Sequence, residues 1–229
     1  MLKELKAVIF DMDGVLVDSE PLHAKSFVIA MKEFGVTTEY NYRFIGSTAL
    51  SMCEAVIDEF HLSITPEEIL AANDIAIHKL VKEEGYTPIP YTKDLIKDLH
   101  KHKIKLAIAS SSSEEQIQEV TKALGIHKYF HKFISGTNLE HSKPAPDIFI
   151  KALKELDVRA SESIVIEDSM NGSIAAKKAG IPCIGFINEN SGNQDLSTTN
   201  VQIKSFLDID YDFLNNVSLK ANELPSKSN

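Results

Sequence analysis

The second half of the chain alternates between two kinds of segment. "IKLAIAS" (104–110), "KFISG" (132–136), "SIVIED" (163–168) and "CIGF" (183–186) are short apolar runs of strand length. Between them, apolar residues recur at helical spacing: Leu95, Ile96 and Leu99, then Ile117, Val120, Thr121 and Leu124 before Gly125, then Phe149, Ala152, Leu153 and Leu156. A further helix ends at "AGIP", with Gly180 as C-cap and Pro182 beyond it. Strands alternating with helices imply an α/β architecture: a Rossmann-like parallel sheet core with helices on both faces. The opening strand, "KAVIF" (6–10), is expected to join that sheet.

Residues 20–86 break the rhythm. Pro21 suits a helix start, Ala24, Phe27, Val28 and Met31 share one face, and Gly35 ends the stripe. Thr65 and Glu68 have capping-box spacing around Pro66, ahead of a helix expected to run to Gly85. No strand signal occurs here, so a small all-helical domain at 19–87 is expected to interrupt a core made of 1–18 and 88–229. "TPIPYT" (87–92) reads as the return linker, residues 188–200 as a polar loop, and the last dozen residues as a frayed end.

A length of 229 residues with 43% hydrophobic content supports a sizeable core. The net charge of −9 argues against nucleic acid as a partner, because a phosphate backbone needs a basic stripe. It leaves open a phosphorylated small molecule, since one cation can reverse the potential of a single cleft. "MLKELKAVIF" is too short and too charged for a signal peptide, and no run reaches membrane-spanning length. Cys53 and Cys183 lack metal-type spacing and read as reduced, buried thiols. The expectation is a cytoplasmic monomer that does not associate with membranes.

Ligands of parallel sheets bind beyond the carboxyl ends of the strands, so polar residues that follow apolar runs should converge. These are Asp11 and Asp13, Ser110 to Ser113, and Glu167 and Asp168, with Lys143 in the loop after "KFISG". Two like charges at about 4 Å cost roughly 4 kcal/mol at an effective dielectric of 20, so four acids need a cation. Magnesium suits a site with few carboxylates and room for water and phosphate. Such a pocket would hold a phosphoryl group that an aspartate could attack, dividing a difficult hydrolysis into two steps. A calcium loop is a poorer fit, because Gly14 comes too early and Val15 occupies a ligand position.

"DMDGVLVDSE", "IASSS", "HSKPAPDIF" and "VIEDSMNGSIAAKKAGIP" resemble, in order and spacing, the four signature motifs of the haloacid dehalogenase superfamily. The helical insert resembles the cap of the branch containing β-phosphoglucomutase and sugar-phosphate phosphatases. The resemblance implies Asp11 as nucleophile and Asp13 as acid/base. It implies Ser110, Lys143 and the Ser111 backbone as phosphoryl contacts. For magnesium it implies Asp11, the Asp13 carbonyl and Asp168, with Glu167 as a ligand directly or through water. Dehalogenases of the superfamily lack the second aspartate, so Asp13 speaks against dehalogenation. His23 on the first cap helix corresponds to a histidine that assists the acid/base in the mutase, and a plain surface histidine is nearly as good a reading.

The substrate is expected to be a small phosphorylated metabolite, a sugar or polyol monophosphate. The mutase needs a cap arginine for its second phosphate, and this chain reads "GSTALS" there, with Ala49 at the matching position. Arg43 is the only arginine in the cap and the candidate anion contact. A phosphatase is therefore expected ahead of a β-phosphoglucomutase. From another class, a phosphorelay receiver also clusters acids with a lysine, but is about half this length and lacks the insert. Phosphonate cleavage would need Lys25 or Lys32 in a setting that the surrounding sequence does not match.

Overall fold

The computed structural model of the chain describes residues 4–37 and 49–223. Two compact units emerge, Met1–Val17 with Pro88–Asn229, and Asp18–Thr87.

The first unit is built on a six-stranded, all-parallel sheet: β1 (Ala7–Phe10), β2 (Lys105–Ser110), β3 (Lys132–Ser135), β4 (Ser163–Glu167), β5 (Cys183–Phe186) and β6 (Val201–Ile203). Their order in space is β3-β2-β1-β4-β5-β6. The chain order reverses on either side of β1, which puts a crevice at the carboxyl end of the first strand. Ile9, Ala107 and Val165 on one face pack with Phe149, Ala152, Ala175 and Ala176, from α6 (Asp147–Leu156) and α7 (Met170–Lys178). Residues of opposite parity, Val8, Phe10, Leu106, Ile108, Ile164 and Ile166, are equally inaccessible. The sheet is thus covered on both faces, which is why its strands read as continuous apolar runs. Among the described residues, the remaining α-helices of the unit are α4 (Thr92–Lys101), α5 (Glu114–Ala123) and α8 (Tyr211–Glu223).

The helix α8 runs as far as Glu223, which corrects the expectation of fraying for residues 218–223. Leu214 is fully buried, the Leu5 N–H donates to Asn215 Oδ1 at 3.0 Å, and the Asn222 amide donates to Ser161 O at 2.8 Å. The short strand β6 lies just beyond the segment read as loop. Three residues are too few to carry a periodic signal.

The second unit holds α1 (Glu20–Glu33), α2 (Ala49–Phe60) and α3 (Pro66–Glu84) and, among the described residues, no strand. Phe27, Met31, Cys53, Val56 and Ile69 form its core. Thr65 and Glu68 make the capping box, with the Thr65 N–H donating to Glu68 Oε2 at 2.7 Å. Lys25 pairs with Glu84 at 2.6 Å, and the Ser26 hydroxyl donates to Asn73 Oδ1 at 2.8 Å. No described helix in either unit is long and apolar enough to cross a membrane.

The entry to β4 is held electrostatically. Glu162 Oε1 receives Arg159 Nη2 at 2.6 Å and Lys6 Nζ at 2.8 Å. The hydrogen bonds from Arg159 and Lys6 hold its carboxyl well below the usual carboxylate range. A lowered folded-state pKa gives stability that is complete above the unfolded value of about 4.3 and is lost as pH falls through the folded value. Calorimetric melting temperatures from about pH 5 down to pH 2 should therefore fall more steeply for the parent than for Glu162→Gln. Equal slopes would contradict the assignment.

Candidate active site

Strand register assembles the site. Phe10 of β1 lies opposite Ile108 of β2 and Ile166 of β4. The next residues of the three strands, Ala109, Asp11 and Glu167, therefore emerge side by side. The Asp11 N–H donates to Ile166 O at 2.9 Å, fixing the backbone at the strand end. Lys143 comes from the loop ahead of α6, where the Lys143–Pro144 peptide is cis. Its Nζ donates to Asp11 Oδ1 and Glu167 Oε1, both at 2.7 Å, and to Ala109 O at 3.2 Å. The three ammonium donors are thus spent across three strands, with the Lys143 side chain 8% exposed.

Burial disfavours the Lys143 charge, but Asp11 and Glu167 outweigh it and hold the ammonium above the usual lysine range. Burial pushes the Asp11 carboxyl up to about 7 against the pull of Lys143, and the charges of Glu167 and Asp13 add to the rise. Burial also raises Asp168, helped by Glu167 and Asp11 and opposed by the Ser191 hydroxyl and Lys143.

Asp13 stands on the turn after Asp11. The N–H groups of Leu16 and Val17 close this turn by donating to Met12 O at 2.8 and 3.1 Å. Its Oδ2 accepts from Ser110 Oγ at 3.3 Å and Ser112 Oγ at 3.0 Å, and the Ser112 N–H donates to Ser110 Oγ at 3.0 Å. Ser113, the last of the run, caps α5 by accepting from the Gln116 N–H at 3.2 Å. Ser111 and Lys143 line a cavity of about 340 Å³ together with Gly136, Thr137 and Ser142.

Several participants carried no signal of their own in the sequence. Ser112 was one hydroxyl among four. Ser169, the N-cap of α7, donates from both N–H and Oγ to Glu167 Oε2 at 2.7 and 2.8 Å. Asn188 and Ser191 reach Gly14 and Asp168 from the polar segment after β5. Of the cap candidates, His23 lies on α1 in the second unit, its carbonyl accepting from Ser26 Oγ at 2.9 Å. Arg43 lies outside the described residues.

Both Glu167 oxygens are therefore engaged, and Gly172 keeps the space beside them free. A Cβ at Gly172 would overlap Glu167 Oε1 and lie 2.6 Å from Oε2. Because Lys143 and Ser169 pin this carboxylate, it has no easy retreat. Gly172→Ala is expected to drive Glu167 off Lys143 and to destabilise the fold by about 1–3 kcal/mol, as other overpacked sites do. Urea unfolding that matches the parent would show that the carboxylate moves freely.

The donor set fits a magnesium ion in kind. Asp11, Asp13, Glu167 and Asp168 set four carboxylates against one ammonium, oxygen donors of the hard type that magnesium selects. Among the described residues no three acidic, histidine or cysteine side chains converge as a ready-made cage.

Fold and site together define a parallel α/β enzyme with a buried acid–lysine centre at the carboxyl edge of its sheet. The profile of the haloacid dehalogenase-like hydrolases matches residues 8–186, and the chain belongs to that family. A phosphorylated carbohydrates phosphatase of Thermotoga maritima is 30% identical over 183 residues, covering 77% of this chain and 82% of the relative. The fructose-1-phosphate phosphatase YqaB of Escherichia coli is 25% identical over 186 residues, covering 80% of this chain and 97% of the relative. A crystal structure of mutant CbbY from Rhodobacter sphaeroides, in complex with xylulose-1,5-bisphosphate, superimposes with a TM-score of 0.73 at 26% identity, covering 88% and 95% of the two chains. With phosphatases among its relatives, the chain is a phosphoric monoester hydrolase of the family. Membership in an enzyme family closes the receiver reading.

Proposed function

We propose that this enzyme hydrolyses a sugar or polyol monophosphate through a phosphorylated Asp11. The observation that carries the proposal is the hold of Lys143 on Asp11 Oδ1 and Glu167 Oε1, which fixes one oxygen of the nucleophile beside a buried cation. In the first step Asp11 attacks phosphorus and the ester P–O bond breaks. Protonated Asp13 gives its proton to the departing alkoxide oxygen. In the second step a water oxygen attacks the acyl phosphate, and the Asp13 carboxylate takes the water proton. Inorganic phosphate leaves and Asp11 is restored as a carboxylate. The Ser110 hydroxyl and Ser111 N–H bind the transferring oxygens, and Lys143 balances their charge.

Asp11, the Asp13 carbonyl and Asp168 would hold magnesium. When bound, the ion supplies positive charge that screens the phosphoryl oxygens from the nucleophile. Glu167, with both oxygens engaged, serves chiefly to hold Lys143 in place. Two relatives named as phosphatases of sugar phosphates support this substrate class. His23 and Arg43 remain the proposed cap contacts. Cys53 and Cys183 are both free and buried, which supports a reducing, cytoplasmic setting. The enzyme is proposed to act as a monomer on a small metabolite.

The test is a screen of phosphorylated metabolites with magnesium, including β-glucose 1-phosphate with and without catalytic glucose 1,6-bisphosphate. Phosphate release from sugar or polyol monophosphates is expected. Isomerisation outpacing release would make the enzyme a mutase instead.

A further inference from the structure

Ser191 closes a short 3-10 turn, Glu189–Ser191, that follows β5, and it is 6% exposed. Its hydroxyl donates to Asp168 Oδ2. Its own N–H donates to Asn188 O at 3.1 Å, and Asn188 Oδ1 accepts from the Asn190 N–H at 2.9 Å. From this closed turn Asn188 Nδ2 reaches across to donate to Gly14 O at 3.0 Å. One turn therefore grips two parts of the site: the backbone next to Asp13, and the carboxylate beyond β4. Gly14 makes room for the meeting. It adopts φ 76°, and a Cβ there would overlap Asp168 Oδ2 and come within 2.8 Å of Ser191 Oγ.

A carboxylate has two equivalent oxygens and a soft terminal torsion. A hydroxyl aimed at one of them removes the equivalence, so the other is presented in a fixed direction. We propose that Ser191 is a positioning residue for magnesium: it claims Asp168 Oδ2, so that Oδ1 is the oxygen that would hold the ion. Asn188 acts beside it by fixing the Gly14 carbonyl, and with it the turn that carries Asp13. The inference rests on the reading of Asp168 as a magnesium ligand and extends it to a segment with no recognisable motif.

Calorimetric titration of the metal-free protein with magnesium chloride tests it directly. Ser191→Ala is expected to weaken the dissociation constant about 10- to 100-fold, the usual effect of removing a partner that orients a metal ligand. With p-nitrophenyl phosphate, the half-saturating magnesium concentration should rise in step, while KM for the ester at saturating magnesium stays at the parent value. Ser191→Cys, a weaker donor of similar size, should fall between the two. It also serves as the test if the alanine variant folds poorly. Ser205→Ala removes a serine hydroxyl that caps another 3-10 turn, Phe206–Asp208, away from the site, and should leave magnesium binding unchanged. Parent-like affinity in Ser191→Ala or Ser191→Cys overturns the inference while leaving the enzyme reading intact. A parent protein that neither binds magnesium nor turns over the ester overturns both.

Discussion

Asp11→Asn is expected to abolish phosphate release, by about 10⁴-fold or more as for other lost nucleophiles, without unfolding the protein. The amide has nearly the shape of the carboxylate but no anionic oxygen to attack phosphorus. Stability should hold because burial, together with Glu167 and Asp13, works against the Asp11 charge in the native state. A neutral side chain removes that conflict, and Lys143 keeps Glu167 and the Ala109 carbonyl as partners. Single-turnover assays and thermal melts should therefore separate, with activity gone and the melting temperature at or above that of the parent. Turnover near the parent level would refute the assignment of Asp11 as nucleophile.

Lys143→Met should fail in a different way. The variant keeps much of the side-chain volume but leaves Asp11 and Glu167, 7% and 1% exposed, without their shared cation. Breaking a buried ion pair by removing one partner costs about 3–5 kcal/mol, because the uncompensated charge stays buried. Both activity and stability should collapse, and the loss in urea unfolding should shrink when Asp11→Asn is added to relieve one of the stranded carboxylates. Additive losses in that double-mutant cycle would mean that the two side chains do not interact energetically. The contrast is diagnostic: one residue carries chemistry, the other carries chemistry and the charge balance of the core.

Much of the molecule was legible because its signals are periodic or local. The continuous apolar runs at 104–110 and 163–168 announced strands buried on both faces. Thr65, Pro66 and Glu68 spelled out a helix start, and the structure has its capping box there. What escaped was short or non-local. The strand β6 spans three residues, and α8 is held by long-range partners such as Leu5 and Ser161. The participation of Ser112, Ser169, Asn188 and Ser191 depends on where loops cross in space, which a single chain of letters does not record.

The sequence by itself determined the α/β class, the helical interruption, and the set of acids, serines and lysine that follow the strands, because strand and helix periods and cap chemistry are local properties. Only the tertiary structure decided that Lys143 spans β2, β1 and β4, that both oxygens of Glu167 are taken up, and that Ser191 grips Asp168. The reason is geometric. Hydrogen bonds act over about 3 Å, and residues as far apart as Asp11 and Lys143 come within that reach only when sheet register and loop packing are both set.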